Sequence, residues 1–185
     1  MPDMREVRKL SSTPMEQLSV EELEDLAKCY YEGIGGLKKD SRKAFKIWQE
    51  GSMRGSNECK YSVASCLRNE EGLPDENDEG GDEEKQQIRS RRLQKAIQMF
   101  KELADSFKFK PILRDSSKYD ASAEQKSIRD QVEPFRANIQ AQYALAVMYE
   151  SGEGTEVNHE LALKYFKLAA QGTYFMTSRF VFTMF

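Results

Sequence analysis

Leu23, Leu26, Ala27 and Tyr30 recur at helical spacing, which puts them on one apolar stripe. Ser19 and Glu22 precede the stripe as an S-x-x-E capping box, a helix-start signal. Gly33, Gly35 and Gly36 follow it, and glycine readily takes the left-handed conformation that ends a helix. Asp40 then offers an N-cap. The helix behind it carries Ala44, Phe45, Ile47 and Trp48 and ends near Gly55. The pattern predicts helix, glycine-rich turn, helix.

The same pattern returns near the other end of the sequence. Leu145, Ala146 and Tyr149 match Leu26, Ala27 and Tyr30, and Gly152 and Gly154 match Gly33 and Gly35. Asn158 replaces Asp40 as the cap. Ala162, Leu163, Tyr165 and Phe166 match Ala44, Phe45, Ile47 and Trp48, and Gly172 closes the unit. A middle copy is interrupted. Its first helix runs from Cys59 towards Gly72, with Asn69 where the tyrosine belongs. Its second runs from Leu93 to Phe107, with Ala96, Ile97, Met99 and Phe100 at the matching places. A small Ala lets two antiparallel helices approach, and the aromatic a turn later fills the space to the next pair. Such pairs cannot bury their faces alone, so they stack. The expected architecture is all-α, an α-α superhelix, or solenoid, of about three helix-turn-helix repeats with two inserts.

These residues resemble the Sel-1-like repeat, a relative of the tetratricopeptide repeat. The last copy carries the resemblance best, through Leu145, Ala146, Tyr149, Gly152, Gly154, Val157, Asn158, Ala162, Tyr165, Ala169, Ala170 and Gly172. The first copy keeps Tyr30, Gly33, Gly35, Asp40, Lys43, Ala44, Trp48 and Gly55 but lacks the Ala-Ala pair. A tetratricopeptide repeat has a shorter turn and a strict period of about 34 residues. Here Gly33 and Gly72 stand 39 residues apart.

The repeats fall at about residues 19–55, 57–107 and 135–172 of a 19–172 solenoid, behind an N-terminal arm at 1–18. Residues 70–84 hold nine acids and no base, and such a segment buries too little apolar surface to order itself. A flexible acidic insert is therefore expected at 73–87. It is the ordinary solvated-loop alternative to a strip that docks a basic partner. Asp75, Asn77, Glu79 and Gly80 fall on the start of a calcium-loop pattern, but Gln86 stands where the pattern needs a bidentate Glu. A second insert spans 108–134, with a helix extending from Ala123 to Pro134. Residues 173–185 form an atypical tail with five aromatics and one charge, Arg179. It reads as the end of a chain that lost later repeats, as a packed apolar cap, or as a membrane or partner hook.

Composition narrows the function. The formal net charge is −3, which argues against a dedicated nucleic-acid binder. No run of apolar residues is long enough to span a bilayer. Three cysteines, Cys29, Cys59 and Cys66, and one histidine, His159, make neither a disulfide framework nor a zinc site. They read as reduced buried thiols and a surface histidine, with a cytoplasmic default. GIGG and GEG follow helices rather than strands, so they are turn glycines and not nucleotide loops. No catalytic arrangement, cofactor or metal site is predicted.

The resemblance implies a non-catalytic adaptor that binds a protein or peptide partner on the concave face lined by first helices. Glu24, Lys28, Tyr31, Gln142 and Glu150 are the candidate contacts. Self-association through an uncapped C-terminal end is a further expectation. The alternatives are a redox-linked or hydrolase-like cysteine-containing repeat protein, which the resemblance would require to carry paired cysteines in each repeat, and a fragment of a longer adaptor.

Overall fold

The computed structural model describes residues 3–74, 81–106 and 121–182, and in the last stretch the side chains of residues 136–173. Among the described residues every regular element is helical, in keeping with the all-α helical-repeat class. The chain divides into two compact units, Met1–Met99 and Phe100–Phe185.

The first unit opens with α1, Met4–Ser12, and a 3-10 turn, Met15–Gln17. The expected arm is therefore structured. Asp3 caps α1 by accepting from the backbone N–H groups of Arg5 and Glu6, both at 2.8 Å. Val7 and Leu10 are buried. Two buried apolar residues in a charged nonapeptide make a weak signal, and the surface that receives them lies elsewhere in sequence. Val7 fits because Gly35 has no side chain: a Cβ there would sit 2.7 Å from Val7 Cγ2. Arg54 holds the 3-10 turn from the far side, donating to Leu18 O at 2.7 Å and Met15 O at 3.0 Å.

Helix α2, Val20–Glu32, starts at the predicted capping box, with Glu22 N donating to Ser19 Oγ at 3.2 Å and Ser19 N to Glu22 Oε2 at 2.7 Å. It ends at Gly33 with φ 72°, the left-handed C-cap for which glycine is suited. Helix α3, Ser41–Met53, is capped by Asp40, whose Oδ1 accepts from Lys43 N at 2.9 Å. Ala44, Phe45, Ile47, Trp48 and Gly51 are its buried face.

Helix α4, Asn57–Asn69, is the first helix of the middle copy, and its register differs from the expected one. The left-handed cap is Glu70, φ 56°. Glu71 N then donates to Cys66 O at 3.1 Å, as Ile34 N does to Cys29 O at 3.1 Å. Glu70 thus occupies the place of Gly33, Gly72 that of Gly35, and buried Leu67 that of Tyr30. Matching glycine to glycine shifts the copy by two residues, because here the cap is not a glycine.

Helix α5, Asp82–Ser106, takes up the end of the expected 73–87 insert. Asp82, Glu83 and Glu84 lie in its first turn, where acids complement the positive end of the helix dipole. Residues 75–80, and with them the calcium-loop pattern, lie outside the described residues. In the first unit Arg89 and Arg92 reach Glu70 at 3.0 and 3.6 Å.

The second unit holds the end of α5, then α6, Ala121–Ser151, and α7, His159–Phe182. α6 continues through position 134, where the sequence suggested a stop. Pro134 removes one backbone donor, and the long stripe that follows, Ala137, Ala141, Ala144, Leu145, Met148, buries α6 regardless. α7 likewise does not end at Gly172. That glycine serves a close approach instead, since a Cβ on it would lie 2.6 Å from Ile139 Cγ1. The helix carries on into the expected tail, whose side chains after Thr173, like residues 107–120 of the second insert, lie outside the described set.

Candidate interaction surface

The two well-formed pairs, α2–α3 and α6–α7, share a hydrogen-bonding frame. Asp40 N donates to Tyr30 O at 2.7 Å, and Asn158 N to Tyr149 O at 2.8 Å. Ile34 N donates to Cys29 O, and Glu153 N to Met148 O at 3.0 Å. Asn158 caps α7 by accepting from Leu161 N at 2.9 Å, as Asp40 caps α3. The frame sets the equivalences: Glu24 with Tyr143, Lys28 with Val147, Tyr31 with Glu150, Phe45 with Leu163, Trp48 with Phe166, Gly51 with Ala169.

On the first pair this face is covered by α4. Ser56, the N-cap of α4, accepts from Cys59 N at 2.9 Å and donates to the carboxylate of Glu24. Gly51 lies directly beneath Cys59, so that a Cβ on Gly51 would meet Cys59 Sγ. At the other end Tyr31 Oη donates to Glu71 Oε2 at 2.7 Å, Ser41 Oγ to Glu71 Oε1 at 3.2 Å, and Lys39 Nζ stands 3.5 Å from Oε1. The Tyr31 ring packs on Trp48 at 5.2 Å between centroids. The Tyr31 hydroxyl, donating to Glu71 and partly desolvated, is pushed up to about 12, and the same bond holds the Glu71 carboxyl below its ordinary value. Under this cover Phe45 and Trp48 are each 5% exposed.

On the second pair the same face is open. Tyr143 is 58% and Leu163 54% exposed, whereas Phe45, the residue that Leu163 matches, is buried. Phe166 is half-buried and meets Tyr143 edge to face at 5.7 Å. The turn end of the pair is acidic: Glu150, Glu156 and Glu160 are all exposed, and no Lys or Arg occurs between Arg136 and Lys164. The opposite side of α6 is closed. Asn138 Nδ2 donates to Leu103 O and, at 3.1 Å, to Ala104 O, and Gln142 Nε2 donates to Asn138 Oδ1 at 3.0 Å.

The five expected contact residues therefore separate. Glu24 and Tyr31 bond to the two ends of α4. Gln142 is buried in the amide network of the second unit and is withdrawn from any surface. Lys28 and Glu150 are exposed. Tyr143, Leu163 and Phe166 were missed as surface residues. The signal for them lay in the repeat itself, because Tyr143 stands at the place of an α4-holding residue.

The cysteines are free and buried. Burial pushes Cys59 up to about 11 and Cys66 to about 12, and raises Cys29, opposite to what an attacking thiolate needs. Among the described residues no helix is long and apolar enough to cross a membrane, and no group of three or more His, Cys, Asp or Glu is placed to hold a metal ion.

The Sel1 repeat model matches residues 23–56 and 139–174. No curated protein matches the sequence. Among solved structures, a Sel1 repeat protein from Oxalobacter formigenes aligns over 90% of this chain and 63% of its own, at 13% identity and a TM-score of 0.40. A protective antigen of uropathogenic Escherichia coli strains, displaying an SLR fold, aligns over 89% of this chain and 33% of its own, at 15% identity and a TM-score of 0.38. This chain thus spans less than two thirds of the length of either. The helix pairs α2–α3 and α6–α7 coincide with the two matched segments, so the chain carries Sel1 repeats at these two places.

Proposed function

We propose that this protein is a non-catalytic scaffold that binds a protein or peptide partner. Sel1 repeats generally mediate protein–protein interaction and are generally non-catalytic. The observation that carries the reading for this chain is the open face of its last repeat, where Tyr143 and Leu163 stand exposed on the surface equivalent to the one that α4 covers. Tyr143 also packs edge to face on Phe166, so the exposed face carries aromatic surface that a partner would cover. Lys28 on α2 and Glu150 on α6 are exposed and remain candidate polar contacts, each within its own unit. The buried, weakly acidic thiols disfavour the redox or hydrolase-like alternative.

The test is affinity capture with the full chain, beside a Trp48→Ala, Phe166→Ala variant whose repeats are undermined. Trp48→Ala alone should cost about 3–5 kcal/mol. A partner held by the chain and lost by the variant is expected. The same set of proteins on both would sink the scaffold reading.

A further inference from the structure

The covered first pair describes what the open last pair would take. α4 lies parallel to α2 and antiparallel to α3, with Ser56 on Glu24 at its start and Glu71 on Tyr31, Ser41 and Lys39 at its end. Four substitutions change the chemistry of this cradle in the last copy. Tyr143 replaces Glu24, so the acceptor for a polar N-cap becomes an aromatic surface. Val147 replaces Lys28, which extends that surface along α6. At the far end Glu150 and Val157 replace Tyr31 and Lys39, the donor and the cation that receive Glu71. The end that attracts an acid in the first copy repels one in the last, and Glu156 and Glu160 add to the repulsion.

We propose that the open face of α6 and α7 docks one amphipathic α-helix of a partner protein, laid as α4 lies on α2 and α3, with Lys or Arg in its C-terminal turn. The inference deepens the scaffold reading and rests on it. The apolar stripe of the incoming helix covers Tyr143, Val147, Leu163 and Phe166, as Cys59, Val63, Ala64 and Leu67 of α4 form its buried face. Its basic C-terminal turn meets Glu150 and also suits the negative end of its own helix dipole. An acidic turn would meet like charge.

Two lactam-constrained helical peptides test this. Both copy residues 56–71 with Cys59→Ala and Cys66→Ala; one keeps Glu70 and Glu71, and the other carries Glu70→Lys and Glu71→Lys. Fluorescence anisotropy against the full chain should show the lysine peptide binding about tenfold tighter or more, the effect of turning two repulsive rim contacts attractive. Leu163→Glu should abolish that binding while circular dichroism stays unchanged, since the site is exposed. Glu150→Lys should invert the preference between the peptides. No binding of either peptide, equal affinities, or indifference to both substitutions would overturn the proposal. So would dimerisation abolished by Leu163→Glu without peptide binding, which would assign the face to a second copy. A captured partner lost by the Trp48→Ala, Phe166→Ala chain but kept by Leu163→Glu would leave the scaffold reading intact and remove this surface from it.

Discussion

Tyr31 shows how much of this fold hangs on single side chains. It joins the ends of α2 and α4 through Glu71 and supports Trp48 with its ring. Tyr31→Phe keeps the ring contact and removes the hydrogen bond to a charged, half-buried partner. A loss of about 1–2 kcal/mol is expected in urea unfolding at neutral pH. The pH dependence follows from the two shifts. The Glu71 carboxyl is held below its ordinary value of 4.5, so its stabilisation is present above that value and lost as pH falls through the folded one. Tyr31, raised from 10.0 to about 12, contributes below its unfolded value and loses that contribution as pH rises towards the folded one. Tyr31→Phe should flatten both limbs of the stability–pH curve, and an unchanged curve would refute the coupling. Gly51 offers a second test at this scale. Alanine favours a helix over glycine by about 1 kcal/mol, but here its methyl would meet Cys59, and overpacking costs about 1–3 kcal/mol. Gly51→Ala should therefore destabilise in the native background and lose most of that cost beside Cys59→Ala. Additive effects in the double-mutant cycle would count against a direct clash.

Elements begin where their caps lie, and most caps were legible. Ser19 with Glu22, Asp40 and Asn158 start helices where their residue types predict. Other boundaries were not legible, among them those of α1, α4, α6 and α7. α1 depends on the space over Gly35, the α4 cap is a glutamate in the left-handed region, α6 passes Pro134, and Gly172 serves a close approach to Ile139 inside α7 rather than ending it. The end of α5 supplies the test here. The last carbonyls of a helix lack partners within it, and Asn138 donates to two near the end of α5. Asn138→Asp keeps the shape, offers no donor, and sets a charge against carbonyl oxygens. It should cost about 2–3 kcal/mol or more, read as a lower urea midpoint. A midpoint equal to the parent would show that the carbonyls find other partners.

For the molecule as a whole, the thiols give a direct measurement. Cys29, Cys59 and Cys66 are buried with raised thiol values, so the folded chain should react slowly with a disulfide-exchange reagent at neutral pH. All three should react once denaturant is added. Fast reaction of even one in the native chain would reopen the redox alternative.

Sequence alone determined the helix class, the repeat and the capping chemistry, because each is written in spacings of a few residues: Leu23 to Tyr30 as a stripe, Gly33 and Gly152 as turn glycines, Ala44 and Ala162 as the small contact residues. It also pointed to first-helix residues as contacts, and this is where local reading stopped. Whether Glu24 or Tyr31 faces a partner or α4, whether Gln142 lies outside or under Asn138, and whether Leu163 is core like Phe45 depend on what lies opposite. That is a property of the tertiary arrangement. Equivalent positions in two copies have the same local pattern and opposite exposure, because among the described residues a helix is laid over the first copy and none over the last.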